Sequence, residues 1–488
     1  KQFTAALVLQ LIEEGKIKLD GKLTDYLPDY RKDTGDRVSI HQLLNHTSGI
    51  PSYTNEKFFR EDSRDPYSPA DFVKKFSSGD LEFEPGTRFR YNNSGYFILG
   101  AIIEKVTGKP YAQVLKEKIL DPAGMTNTGY DVYGTIIKNR AAGYEKTPEG
   151  FENAHYLDMS LPYAAGSMYS TVGDLFIWDQ ALYGDKILSA ESKAKMFTPG
   201  LEGYGYGLFM QEEQHGKDGP KLKVIGHSGG INGFNSLFTR YPEKRNLVVL
   251  LDNVGMGQFH GPITKSISAI LNGQPYEMPK RSIAETIAPV AMQKGASAAV
   301  AEYKRLKAEK PGEYDFYENE LNSLGYALLG RDKTADAIEI FKFNVELFPE
   351  SFNVYDSLGE AYLKAGDKKL ALENYKKSLE IKPDSAGGIQ AVREIEGKEF
   401  KIDPKILSDY AGQYEIAPNF IVTVTLEGEK LFAQGTGQPK LELQAVSETQ
   451  FMVARAGANV TFEKDAEGNV ISLTLVQNGQ TIKGKKIK

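Results

Sequence analysis

The chain has no cysteine, one tryptophan and only six histidines in 488 residues. Without cysteine there can be no disulfide, no thiolate zinc site and no thiol nucleophile. The histidines are scattered. His41 and His46 stand five apart, off one helix face and without a third partner, so no metal is expected. Acidic residues outnumber basic ones, and the net charge of -6 gives no electrostatic case for nucleic acid. Long apolar runs are missing too. The richest one, within Lys1–Ile12, stops at Glu13 and Glu14, short of the length a membrane span requires. What remains is ordinary globular material, 41% hydrophobic and 25% charged, long enough for two or three domains.

Three periodicities divide the chain. Residues 1–276 mix helical stretches such as Gly95–Thr107 with loops rich in Gly, Pro, Asn and Tyr. Two strand-like runs, Leu222–Ile225 and Leu247–Leu251, flank "GHSGGINGFNSLFTRYPEKRN", and the proline-marked linker Asn272–Ser282 closes the segment. Residues 283–397 repeat: Leu324, Gly325, Ala337, Phe341 and Pro349 recur 34 residues later as Leu358, Gly359, Ala371, Tyr375 and Pro383. That period and those residue types resemble the tetratricopeptide repeat of paired helices, with Ala299, Tyr303 and Pro311 marking a degenerate third unit. Residues 401–488 alternate apolar and polar around Glu427–Gly428, Glu467–Gly468 and Asn478–Gly479, which predicts a small antiparallel barrel or sandwich. This last segment resembles the lipocalin-like domain appended to some β-lactamase-related proteins.

The chain opens on a lysine ahead of an almost wholly apolar helix, "KQFTAALVLQLIEEGKIKL", which Gly15 ends. Further on stand "FRYNNSGYFILGAIIEKVTG", with Tyr91 and Asn93 at the head of a helix, and "VIGHSGGINGF", a strand carrying His227-Ser228-Gly229. Together with "HQLLNHTSGIPSY", "LDPAGMTNTGY" and "AAGSMYSTVGDLFIWDQAL", these stretches resemble the serine β-lactamase and penicillin-binding superfamily, on the side of class C β-lactamases, D,D-peptidases and related esterases. The resemblance implies a β-lactamase-like α/β/α domain with an antiparallel sheet, followed by all-α repeats and an all-β domain.

The resemblance also implies roles. Lys1 matches the lysine of S-x-x-K, so the nucleophilic serine is expected three positions ahead of it, together with the first strands of the sheet. The chain Lys1–Lys488 alone is not expected to turn over. A serine at a helix N-terminus and a lysine one turn later share a face, and desolvation lowers the pKa of a buried lysine. Tyr91 would be the general base and acid, its phenol brought down by the Lys1 cation. Asn93 would bind the substrate amide and orient the lysine. His227 replaces the lysine of K-T-G and would help place the substrate, Ser228 would bond a substrate carboxylate or carbonyl, and Gly229 would let substrate lie against the strand. The backbone N–H of Gly230 would form half of an oxyanion hole. Because histidine near pH 7 is mostly neutral, the substitution tilts the chemistry toward peptide, amide or ester substrates, with at most weak action on β-lactams. No cofactor is implied. The resemblance points to a bacterial, periplasmic or secreted protein.

Two other readings compete. Gly226–Gly230 also fits the nucleophile elbow G-x-S-x-G, with Asp252 and His260 as partners, but that elbow requires a helix after the serine. The repeats could instead make the chain a catalytically inactive scaffold that binds a protein or peptide partner. "GQTIKGKK" near the C-terminus imitates a phosphate loop, yet lacks the following Ser or Thr and reads as a strand.

Overall fold

The computed structural model describes residues 1–488 except 215–220, 256–259, 398–401, 418, 419, 437, 439, 454–456, 466, 478, 479 and 488. The expected Asn478–Gly479 turn therefore lies outside the described residues. The chain forms two compact units, Lys1–Pro279 and Lys280–Lys488. The boundary falls inside the proline-marked linker; the expected repeats and β domain share the second unit.

The first unit is built around two apolar helices. Gln2–Glu13 buries Phe3 and every residue from Ala5 to Leu9. Asn93–Thr107 buries Ser94 to Ile103 and ends on Gly108 in the left-handed region, φ 68°. A helix apolar on all sides has no face to give to water, so both sit in the interior. Two sequence segments seal their ends. The short helix Tyr163–Gly166 offers its Ala164 carbonyl to the Thr4 hydroxyl at 2.6 Å. Trp178 donates its indole N–H to Gln2 Oε1 at 2.7 Å.

A four-stranded antiparallel sheet, Phe209–Gln214, Lys221–Ile231, Phe234–Tyr241 and Asn246–Asp252 in spatial order, completes the unit. The second strand runs well past the expected Leu222–Ile225. Its glycines extend it because the neighbouring strand lies close: a Cβ on Gly229 would meet Ser236 Oγ at 2.5 Å. Ser228 therefore sits inside a strand that turns directly into another strand, which removes the nucleophile-elbow reading.

In the second unit, helix pairs recur. Glu318–Leu329 with Thr334–Leu347 is followed by Phe352–Lys364 with Lys368–Ile381, each helix starting 34 residues after its equivalent. The repeated glycines face the repeated aromatics: a Cβ on Gly325 would lie 2.4 Å from Phe341, and one on Gly359 3.1 Å from Tyr375. Ala299 and Tyr303 are buried on the helix Ala296–Glu309. The β segment closes into an eight-stranded barrel in which Gly412–Ala417 pairs with Gln480–Lys486, so the phosphate-loop look-alike is a strand over its described residues, Gln480–Lys486. Tyr410, on the helix Pro404–Tyr410, stacks on Phe462 at 4.6 Å in the barrel core.

Candidate active site

Lys1 is the N-cap residue of the first helix, and a loop holds it down. Gly207, at φ 76°, passes so close that a Cβ there would stand 2.8 Å from Gln2 Cα and 2.9 Å from the Lys1 carbonyl carbon. Only glycine meets both demands. The Lys1 amine then donates to two neutral oxygens, Asn93 Oδ1 at 2.6 Å and the Ala165 carbonyl at 3.0 Å. It also lies 4.9 Å from the centre of the Tyr91 ring and 5.7 Å from that of Tyr96. Burial brings its pKa down to about 7. A free amine near neutrality can accept a proton, which an ordinary lysine cannot.

Asn93 opens its helix, where Asn92 caps the end by accepting the Gly95 N–H at 2.9 Å. With Oδ1 on Lys1, Asn93 turns Nδ2 toward Thr54 Oγ1 at 3.3 Å. Tyr91 keeps 38% of its surface open. The expectation that Lys1 lowers its phenol is not met: desolvation raises the Tyr91 pKa above the ordinary value. The Lys1 amine, 4.9 Å from the ring centre, does not offset the loss of water around the phenol.

His227 lies beside Tyr91, ring centres 5.8 Å apart. Its Nδ1 bonds the Ser228 carbonyl at 2.5 Å and its Nε2 bonds the Tyr204 hydroxyl at 3.1 Å. A carbonyl only accepts, so Nδ1 carries the proton and Nε2 receives the Tyr204 O–H. Burial and then the Lys1 charge hold the imidazole well below the usual histidine range. Past His227 the sheet opens. The strand Phe209–Gln214 ends with Phe209 opposite Gly226, and among the described residues no strand pairs with His227–Ile231 on that side. Ser228, Gly229 and Gly230 are exposed along this edge.

The structure thus brings Lys1, Tyr91, Asn93 and His227 together and places Ser228, Gly229 and Gly230 on the strand beyond. Sequence reasoning missed the aromatic box that surrounds them. Tyr204 is buried against Phe209 at 4.6 Å, and Phe209 lies nearly parallel to Tyr91 at 6.5 Å. His46 is buried against Tyr91 and Tyr204, at 4.5 Å from each ring centre. The run "HTSG" around His46 was the one sequence signal available for it.

A family model described as Beta-lactamase matches residues 1–261. The chain belongs to the beta-lactamase family. A second model, a domain of unknown function (DUF3471), matches residues 397–486, the barrel segment. Among similar proteins, penicillin-binding protein 4* of Bacillus subtilis is 32% identical over 302 residues, covering 58% of this chain and 65% of that protein. The putative penicillin-binding protein PbpX of the same organism is 30% identical over 275 residues, covering 56% of this chain and 65% of its own. This beta-lactamase-family chain thus spans about 65% of the length of both. Among solved structures, a D-stereospecific amidohydrolase from Streptomyces sp. is 28% identical with a TM-score of 0.49, over 56% of this chain and 85% of that one. No helix among the described residues is long and apolar enough to cross a membrane.

Proposed function

We propose that the protein is a serine hydrolase that works through an acyl-enzyme on amide or ester bonds. Its nucleophile is a serine three positions ahead of Lys1. The observation that carries this reading is the Lys1 amine, held by Asn93 and Ala165 with its pKa near 7 and Tyr91 beside it.

In this reading Lys1, as the free amine, takes the proton from the serine hydroxyl while the oxygen attacks the carbonyl carbon. Tyr91 stays a neutral phenol and gives its proton to the leaving amine or alkoxide, recovering one from Lys1. Water then attacks the acyl-enzyme, returning the proton to the serine and releasing the acid. The backbone N–H of Gly230 steadies the developing oxyanion together with the serine's own N–H. Asn93 orients Lys1, and Ser228 and Gly229 receive the substrate along the open strand edge. His227, neutral and with both nitrogens engaged by Ser228 and Tyr204, offers no fixed charge to a substrate carboxylate. That favours D-amino-acid amides, peptides and esters over β-lactams, whose carboxylate would go without a cation. The helix pairs fit tetratricopeptide repeats with a peptide or protein partner, the barrel fits a lipocalin-like appendage, and an exported site of action suits the whole.

The test uses the product of the whole gene, incubated with a fluorophosphonate and with a fluorescent penicillin and read by intact mass. A single adduct is expected from the fluorophosphonate, formed more slowly in Tyr91→Phe and absent from Lys1–Lys488 alone. Labelling of Lys1–Lys488 as strong as that of the whole product would put the nucleophile inside the chain and sink the reading. If nothing labels, the scaffold reading takes its place.

A further inference from the structure

His46 has three features that its neighbours do not explain. Its backbone sits at φ 60°, a left-handed conformation that is strained for a non-glycine residue. Its side chain is buried, with 1% of its surface open. And its Nε2 is buried with no hydrogen-bond partner among the described residues. A buried donor without an acceptor is a cost that a merely structural position would shed by substitution.

What the strained conformation achieves is visible in the bonds around Tyr91. The Arg90 N–H donates to the His46 carbonyl at 2.9 Å. The Asn92 N–H donates to His46 Nδ1 at 3.2 Å. One residue therefore holds the backbone on both sides of Tyr91, while its ring packs on the Tyr91 ring at 4.5 Å. The second of these bonds fixes the tautomer: Nδ1 accepts, so the proton sits on Nε2. The rings of Tyr91, Tyr96 and Tyr204 surround the imidazole, tilted by 48°, 48° and 52° with centres 4.5, 5.1 and 4.5 Å away. The charged and titratable groups that face His46 are Lys1 and His227, with the three tyrosines; burial first, and then the repulsion Lys1 and His227 exert when protonated, hold it well below the usual histidine range.

We infer that His46 is the positioning residue for Tyr91: it clamps the backbone at Arg90 and Asn92 and packs on the ring that stands beside Lys1. Its neutrality matters because an imidazolium would carry a proton on Nδ1 and could no longer accept the Asn92 N–H. The proposal rests on the acyl-enzyme reading for its kinetic consequence, and on the Asn92 hydrogen bond for its tautomer.

The experiment therefore has two arms, both on the product of the whole gene. In the first, fluorophosphonate labelling rates are compared for the parent, His46→Asn, Tyr91→Phe and the double variant. Asparagine tolerates the left-handed backbone and can still accept the Asn92 N–H, so it removes the ring while sparing the fold. His46→Asn is expected to label roughly ten- to a hundredfold more slowly, as a misplaced catalytic group does, and to cost nothing further once Tyr91 is phenylalanine. The pH midpoint near 7 set by Lys1 stays in place. Equal losses in both backgrounds, or no loss in either, would overturn the inference. The second arm needs no activity: nitrogen NMR of histidine-labelled protein should find one imidazole neutral and in the Nε2–H form down to pH 5, and that signal vanishes in His46→Asn. An imidazolium at pH 5 overturns the inference even if labelling succeeds. Should the parent fail to label, the acyl-enzyme reading falls and the NMR result alone decides the state of His46.

Discussion

Two cations in the first unit are withdrawn from water, and they are held in opposite ways. Arg240, whose side chain is 3% exposed, donates from Nε to the fully buried Asp179 carboxylate at 2.7 Å. It lies between the rings of Tyr183 and Phe197 at 4.7 and 5.4 Å. A guanidinium does not lose its proton, so the only way to keep it inside is to give it a counter-charge. Burial even pushes the Asp179 carboxyl up against the pull of Arg240, a sign of what the pair costs in desolvation. Lys1 is given only neutral oxygens, Asn93 Oδ1 and the Ala165 carbonyl, and its pKa falls to about 7. Burial is common to both. What differs is the partner, and the partner decides whether a buried cation is part of the framework or free to change its proton near neutral pH.

The contrast breaks most sharply at Lys1 itself. Lys1→Met should slow acylation by about 10² to 10⁴, the range general-base catalysis supplies. It should leave stability level or higher, because methionine fills the volume without a desolvated amine. Rapid-mixing labelling and urea unfolding read the two quantities separately; a variant that unfolds early while still acylating would assign Lys1 to the framework. Asp179→Ala is the mirror experiment. It strands a buried guanidinium and should cost about 3–5 kcal/mol of stability. Acylation by the folded fraction should stay within a few-fold of the parent. An unchanged unfolding midpoint would mean that Arg240 reaches water and that the pair holds nothing together.

Much of this was legible in the sequence, and what was not has a physical reason. Lys1 and Tyr91 stand out because proton transfer demands those residue types, and Asn93 and His227 because they sit in the same short motifs. The helix pairs were legible because Gly325 and Gly359 each leave room for one aromatic ring, and that need recurs every 34 residues. His46, Tyr204 and Phe209 were not, because an aromatic box assembled from separate segments leaves no period. The full length of the strand Lys221–Ile231 was hidden for a related reason: glycines that admit a neighbouring strand look in sequence like a turn. The direction of the Tyr91 shift was missed because desolvation belongs to the surroundings. The tautomer of His227 was set by a carbonyl and a distant tyrosine, neither of which a motif encodes.

The smallest change tests the comparison most directly. Asn93→Asp alters one atom in kind and hands Lys1 the counter-charge that Arg240 already has, at an oxygen now 2.6 Å away. An adjacent carboxylate raises the pKa of a lysine by roughly 1–3 units. Lys1 would then be an ammonium at pH 7, and a base already protonated cannot accept the serine proton. Acylation should therefore fall at neutral pH and recover as the pH rises, with the midpoint moved up from about 7. Stability should respond with a definite sign. In the parent, the folded amine titrates near 7 and the unfolded one at its ordinary 10.5, so between those values the unfolded chain binds the extra proton. Stability must then increase with pH across that window. In Asn93→Asp the folded pKa moves back toward 10.5 and the window narrows, so the rise in melting temperature above pH 7 should flatten. A midpoint that stays near 7 with an unchanged rise would mean that the partner oxygen does not govern Lys1, and the distinction between the two buried cations would collapse.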